Sequence, residues 1–357
     1  MIEELLSNSQ LKHLRPLLAK ARNVVLTCHV RPDGDAVGST LTLMHLLRQR
    51  NIRAHVVTPD TPPRVLAFLP GYDDIVPFTR YEEYAGRLFR EADLIIGCDF
   101  NTPSRLSDLE PTYNEATAKK VIIDHHEAPD NFADLLISYP DMSSTCELLF
   151  RILCGLDMFE ELARCKAAAT CLTTGIITDT RNLSVNTKHP DLYDIMKELI
   201  IMGVNKRLIL KETLETKSEN ALKLTSFALC ERLKVYHKHK AAIVWLTQED
   251  LDKYDYKKGD TEGLVNQALE LRGIIYAVFM RQEKDKVRLS MRSLGSFPVS
   301  KICSDHFGGG GHIQAAGGDF NGSVQECLAT MEKVMPQYDN EANNAAARLQ
   351  EQGYIFK

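Results

Sequence analysis

The stretch His29-Val30-Arg31-Pro32-Asp33-Gly34-Asp35-Ala36-Val37-Gly38-Ser39 decides how this chain reads. The apolar run Val24-Val25-Leu26 precedes it, and residues 41–47 follow with amphipathic helical spacing. The pattern predicts a strand, a tight acidic turn and then a helix from Gly38-Ser39 to Arg50, with Gly34 letting the turn between Asp33 and Asp35 be tight. One histidine and two aspartates therefore gather where a strand ends. In open α/β sheets, ligands bind beyond the carboxyl ends of strands. Imidazole and carboxylate together suit a hard-to-borderline divalent cation. Three donors do not complete a metal site, so the rest must come from elsewhere in the chain.

Working outward, the same arrangement recurs. A helix is expected over residues 2–21, a first strand over 24–28 and a second over 52–58. Residues 92–98 read as a buried strand ending on Asp99, and 119–123 as another ending on Asp124-His125-His126. Helices are expected over 144–153 and 163–179. Short apolar runs alternating with helical patterns predict a parallel sheet. Composition shifts after Asn186, and residues 190–232 read as a helical connector with charged faces. Beyond it, two hairpins are expected: 233–236 with 241–246, and 274–280 with 287–291. A short helix near Lys301, the run Gly308-Gly309-Gly310-Gly311-His312 and a helix over 324–334 follow. In the tail, 341–357, residues 341–352 read as a surface helix.

Bulk properties narrow the class. At 357 residues the chain exceeds one small core, so two domains are the natural expectation. A net charge of −5 argues against a mainly electrostatic grip on long nucleic acid. No run approaches the roughly 18 apolar residues of a membrane span, and Met1-Ile2-Glu3-Glu4 lacks an apolar signal core. The nine cysteines form no Cys-x-x-Cys pair and lie in apolar surroundings. They read as reduced, mostly buried thiols of a cytoplasmic protein.

Acids and histidines at the ends of parallel strands share one sheet edge and can converge. Asp179, in Gly175-Ile176-Ile177-Thr178-Asp179-Thr180, ends a helix and can join them. Each residue alone has a plain alternative: Asp33 and Asp35 as turn formers, Asp99 as a cap, tandem histidines as surface residues. Together they are too many carboxylates to pack without cations, because mutual repulsion would raise their pKa values and oppose folding. Two divalent ions about 3.5–4 Å apart are a common device for phosphoryl chemistry, lowering the pKa of a water and neutralising charge on phosphate. The mixed His/Asp donor set favours manganese or a similar transition metal over magnesium.

These residues resemble the DHH phosphoesterases that carry a DHH-associated C-terminal domain. The first family motif is similar to His29-x-x-x-Asp33-x-Asp35-Ala36-x-Gly38-Ser39, the second to Asp99, the third to Asp124-His125-His126, and the fourth to Gly175-Ile176-x-x-Asp179-Thr180. Ser143-Ser144-Thr145-x-Glu147 and Gly309-Gly310-Gly311-His312 match further family segments. The resemblance implies an α/β fold with a Rossmann-like parallel-sheet domain over 1–189 and a smaller α/β domain with a mixed sheet over 233–340. It implies two divalent ions, Mn2+ by preference. One would be held by His29, Asp33 and Asp99, the other by Asp35, Asp99, His125 and Asp179. His126 would contact the scissile phosphate, with Asp124 orienting a ligand. Arg292, Ser293, Gly309, Gly310, Gly311 and His312 would bind the substrate's terminal phosphate or nucleotide, with Arg105 a weaker phosphate contact. The implied activity is attack of a metal-bridging hydroxide on phosphorus, in short oligoribonucleotides (nanoRNA), in pAp, or in both. Dinucleotide phosphodiesterase, exopolyphosphatase or pyrophosphatase, RecJ-like exonuclease and a silent nucleotide-binding regulator are the alternatives. Short RNA or small phosphorylated nucleotides are the expected partners, without membrane or long duplex, and a homodimer is compatible with this reading.

Overall fold

The computed structural model describes residues 8–354. Residues 2–7 of the expected first helix and 355–357 of the tail therefore lie outside the described residues. The chain divides into two compact units, at Thr216 and Lys217. Among the described residues no helix is long and apolar enough to cross a membrane.

The first unit is built on six parallel strands among the described residues. They are β1 (Asn23–Cys28), β2 (Arg53–Thr58), β3 (Val76–Pro77), β4 (Leu94–Cys98), β5 (Lys119–Asp124) and β6 (Leu135–Ser138). Their order across the sheet is β3-β2-β1-β4-β5-β6. Side chains alternate between two cores. Val24, Leu26, Ile96, Val121 and Ile123 face one apolar layer, and Val25, Ile95 and Ile122 face the other. Both faces are covered, which is why these strands read as near-continuous apolar runs. Each fully buried leucine or isoleucine contributes about 1.5–3 kcal/mol. β1 and β4 are neighbours whose onward connections leave in opposite directions. That switch point opens a crevice beyond their carboxyl ends.

The helix after β1 starts four residues earlier than its sequence suggests, at Gly34, and runs to Gln49. Asp33 is its N-cap, its carboxylate accepting from the amides of Asp35 and Ala36. The acidic turn is thus the helix's own first turn. Gly34 has no left-handed backbone; it is small because a Cβ there would stand 2.4 Å from Thr178 Oγ1. Packing against the helix Lys166–Asp179, rather than turn tightness, selects this glycine.

In the second unit, among the described residues, six strands form a mixed sheet. They are β7 (Leu233–Tyr236), β8 (Ala241–Leu246), β9 (Tyr276–Glu283), β10 (Lys286–Ser293), β11 (Gly310–His312) and β12 (Ala315–Asn321), in the order β11-β12-β10-β9-β8-β7. Both expected hairpins are antiparallel pairs, and β8 and β9 run parallel. The stretch expected as a connector is shared between the units. Leu192–Ile201 buries Leu192, Ile195 and Leu199 in the first core, whereas Glu219–Glu231 buries Leu224 and Ala228 in the second. The tail helix, Asp339–Glu351, is not a surface element. Ala342, Ala345, Ala346 and Leu349 repeat at helical spacing and are buried in the core.

The helices Gly34–Gln49 and Lys166–Asp179 touch at backbone distance. A Cβ at Gly38 would stand 2.6 Å from the Cys171 carbonyl oxygen. Helix propensity alone favours alanine there by about 1 kcal/mol. A backbone neighbour cannot yield as a side chain can, so overpacking wins. Gly38→Ala is expected to lose about 1–3 kcal/mol in urea unfolding; an alanine protein as stable as the parent would refute the close contact.

Candidate metal centre

Three strand ends and two helix ends converge on the β1/β4 crevice. His29 follows β1, and Asp33 and Asp35 open the next helix. Asp99 follows β4. Asp124 ends β5, with His125 and His126 directly after it. Asp179 arrives from the end of Lys166–Asp179. Gly38 and Gly175 let that helix lie close enough to deliver it, since a Cβ at Gly175 would stand 2.3 Å from Cys146 Sγ and 2.7 Å from Asp35 Oδ1.

The donors fall into sets whose ligand atoms all lie within 4.8 Å of one another: His29, Asp33 and Asp99; Asp35, His125 and Asp179; and Asp99, His125 and His126. Asp99 stands between them. Its Oδ2 is 3.3 Å from His29 Nε2, and its Oδ1 is 3.6 Å from His125 Nε2. His125 Nε2 also lies 3.3 Å from Asp179 Oδ2 and 3.8 Å from Asp35 Oδ2. In both rings the other nitrogen is occupied. His29 Nδ1 donates to the Val30 carbonyl at 2.9 Å and His125 Nδ1 to the Met142 carbonyl at 3.2 Å. That tautomer leaves each Nε2 as the lone-pair donor a metal needs.

His126 is held differently. Asp124, fully buried, accepts from His126 Nδ1 at 2.8 Å and from its backbone amide at 3.1 Å. Both contacts fix the ring and leave its Nε2 for another partner.

Asp35 has the hardest position. It is fully buried, and its two oxygens accept from the amides of Thr145 (2.6 Å) and Cys146 (2.8 Å). These are the first amides of the helix Thr145–Gly155, whose positive end suits a carboxylate. Thr145 Oγ1 also donates to Asp99 Oδ1 at 3.1 Å. The helix start is braced below: Ser144 caps it, Glu147 accepts from the Ser143 amide, and Arg151 pairs with both Glu147 and Asp191. Sequence reasoning missed this brace, although its signal was present. Glu147 and Arg151 stand four apart in an otherwise apolar helix, where an ion pair is the natural way to bury them.

The electrostatics test whether cations fit. Among the described residues, histidines, and no lysine or arginine, lie within ion-pair distance of Asp33, Asp35, Asp99 and Asp179. Burial and the charges of Asp99 and Asp179 push Asp35 well above the ordinary carboxylate range. Burial, with Asp33 and Asp99, lifts Asp179 to about 6 against the opposing pull of His125. Burial would lower both rings, but their carboxylate partners outweigh it, holding His29 at about 9 and His125 at about 11. Burial would raise Asp99, but hydrogen bonding and charge from the histidines hold it down at about 2. Protons thus do in this cluster what bound cations would do better. Imidazole and carboxylate are the donors a divalent transition ion takes.

The remaining expected residues divide. Arg105 lies on the 3-10 segment Pro103–Leu109, and its carbonyl accepts from the amide of Val30, beside His29. The others are in the second unit. Arg292, on β10, and His312, on β11, both pair in register with Ala315 of β12, so they share one sheet face. On that face β8 and β9 are covered by a core that includes Ala242, Val244, Ala277 and Phe279. Its β10–β12–β11 part instead carries Arg288, Ser290, Arg292, Gly310 and His312, all at least partly exposed. Ser293 points the other way: it is buried, and its hydroxyl donates to the Phe297 carbonyl at 2.7 Å. The glycines also differ. A Cβ at Gly309 would stand 1.9 Å from the Gly317 carbonyl oxygen, and Gly311 has φ 140°, so both serve strand packing. Gly310 is exposed, and a Cβ there would meet nothing.

Histidine–carboxylate sets gathered at the switch point of a parallel sheet are what a metal-dependent phosphoesterase requires. Comparison with known proteins makes the family specific. The DHH family, N-terminal domain, matches residues 23–176, and the DHHA1 domain matches residues 239–337. The chain belongs to the DHH family. It is 29% identical over 320 residues to the bifunctional oligoribonuclease and PAP phosphatase NrnA of Bacillus subtilis, covering 88% of this chain and 96% of that protein. It is 25% identical over 316 residues to the cyclic-di-AMP phosphodiesterase PdeA of Listeria monocytogenes, covering 85% of this chain but 45% of that protein. The crystal structure of an exopolyphosphatase-related protein from Bacteroides fragilis superposes with a TM-score of 0.92 at 34% identity, covering 96% of this chain and all of that one.

Cation binding should therefore stabilise the fold. Manganese added to chelator-treated protein is expected to raise the melting temperature, by the equivalent of about 2.7 kcal/mol when free ion is a hundredfold above Kd. Asp99→Asn should lose most of that gain. A melting temperature indifferent to manganese would rule out the centre.

Proposed function

We propose that this chain is a manganese-dependent phosphoesterase of the cytoplasm that hydrolyses short oligoribonucleotides to nucleoside monophosphates and removes phosphate from pAp. The observation that carries this reading is Asp99, set with one oxygen toward His29 and the other toward His125. His29, Asp33 and Asp99 would hold one divalent ion; Asp35, Asp99, His125 and Asp179 would hold the other. When bound, such a pair supplies a water of lowered pKa and neutralises charge growing on phosphate.

The chain's own residues do the rest. Asp124 fixes the His126 ring through Nδ1, so Nε2 can hold a proton for the leaving oxygen. Thr145 orients Asp99, and the helix that begins there keeps Asp35 in place. In the second unit, Arg292 and His312 would bind a terminal phosphate on their shared face, with the exposed Gly310 backbone admitting a close approach. The nine free cysteines, most of them buried, suit a reducing compartment. The NrnA relative supports the choice of substrates because it matches along nearly its whole length.

A substrate panel with manganese tests the proposal: a diribonucleotide, pAp, cyclic-di-AMP, pyrophosphate and polyphosphate. Turnover of the first two above the others is expected, and preferred cleavage of polyphosphate would overturn the assignment. Arg292→Ala should raise KM about tenfold or more, as loss of a charge-assisted phosphate contact does, while metal content stays unchanged. Gly310→Ala should raise KM without altering the melting temperature. Unchanged KM in both variants would remove this face from the binding site.

A further inference from the structure

Two arginines near the metal centre adopt backbone conformations that their side chains oppose. Arg31, two residues after His29, has φ 57°. Arg181, two residues after Asp179, has φ 46° and opens a run of three left-handed residues with Asn182 (59°) and Leu183 (64°). Left-handed backbone places Cβ against the following carbonyl in every residue but glycine. Arg31 is constrained further, because it precedes Pro32. Glycine would satisfy either position at lower cost.

The surrounding bonds hold both residues firmly. The Arg31 amide donates to Asp60 at 2.6 Å. The turn after Asp179 folds back onto the end of its helix. Asn182 donates to the Ile177 carbonyl, Leu183 to Thr180 Oγ1, and Ser184 and Val185 to the Thr180 carbonyl. Ser184 Oγ closes the loop by donating to the Arg181 carbonyl, and Leu183 packs against the core. The two stretches meet where Gly34 lies against Thr178.

None of these bonds uses a guanidinium. Both arginines are exposed, and among the described residues neither side chain has a hydrogen-bond or ion-pair partner. Each is nonetheless two residues from an acidic cluster. Arginine's planar fork is the side chain best matched to phosphate oxygens. Strain kept at the edge of a reaction centre points to use of the side chain. We propose that Arg31 and Arg181 form a phosphate clamp at the rim of the metal centre, binding non-bridging oxygens of the substrate's reacting phosphate. The clamp deepens the phosphoesterase reading and rests on it for the identity of the substrate.

Glycine variants separate the side chain from the strain. R181G and the double variant R31G/R181G relieve the backbone while deleting the guanidinium groups. Both are expected to melt at or above the parent's temperature. In the double variant, KM for pAp and for a diribonucleotide should rise about tenfold or more while kcat stays within about threefold, the pattern of lost uniform binding. Manganese affinity, read by electron paramagnetic resonance, should stay unchanged. R181K should recover part of the lost affinity. Inorganic phosphate, titrated calorimetrically into the manganese-loaded full chain, should bind about tenfold more weakly to the double variant. That probe needs no turnover, so it judges the clamp even if the substrate assignment fails. Equal phosphate affinity in parent and double variant would overturn the clamp. So would a tighter grip on manganese with unchanged KM, which would mean the arginines only balance the acidic cluster.

Discussion

The two amides that open the helix Thr145–Gly155 hold the carboxylate of Asp35 out of water, and much of the first unit is arranged to keep that contact. A buried carboxylate without partners costs several kcal/mol. Each charge-assisted hydrogen bond returns about 1.5–3 kcal/mol of it. The remainder depends on placing those amides accurately. That explains the Ser144 cap and the buried Glu147–Arg151–Asp191 pairs behind it. It also explains why Gly38 and Gly175 bring two helices to backbone distance beside the same carboxylate. The repulsion left among Asp35, Asp99 and Asp179 is what a pair of cations would relieve.

The two units solve different problems with similar means. In the first, a parallel sheet covered on both faces carries chemistry only at its strand ends. In the second, a mixed sheet leaves half of one face open and carries Arg292 and His312 on that face. Glycine is used for contrasting reasons there. Gly309 and Gly311 allow neighbouring strands to approach, whereas among the described residues nothing lies within 4 Å of where a Cβ at Gly310 would stand. Within one run of glycines, some positions are thus demanded by strand packing while Gly310 is not.

Much of this is legible in the sequence because buried parallel strands leave apolar runs, and the candidate ligands stand where those runs stop. β1, β2, β4 and β5 were readable for that reason, as were the helices ending at Asp179 and starting after Ser144. Elements with weaker signatures were not. β3 is two residues long, β6 is only half-buried, and β12 is glycine-rich, with its pairing determined by β10. The helix Phe78–Glu91 went unread although Ala85, Leu88 and Phe89 form its buried stripe. Asp33 reads as a candidate metal donor, with turn former as its plain alternative; its position as the helix N-cap is masked because turn and N-cap favour the same side chains. The tail reads as a surface helix because alanines among asparagines look polar until their spacing is counted. The Asp35 amide contacts could not be read at all, since backbone donors carry no letter in a sequence.

Gly34, Gly38 and Gly175 share a further implication. Each stands where the helix bearing Asp35 meets the one bearing Asp179, and at each the vacant space is smaller than a methyl group. Gly38 sets this approach by backbone contact, since a Cβ there would stand 2.6 Å from the Cys171 carbonyl oxygen, whereas Gly34 and Gly175 face the side chains of Thr178, Cys146 and Asp35. Any carbon added at this joint would have to be met by movement of one helix against the other, so the spacing of Asp35 and Asp179 is tied to residues that carry no side chain.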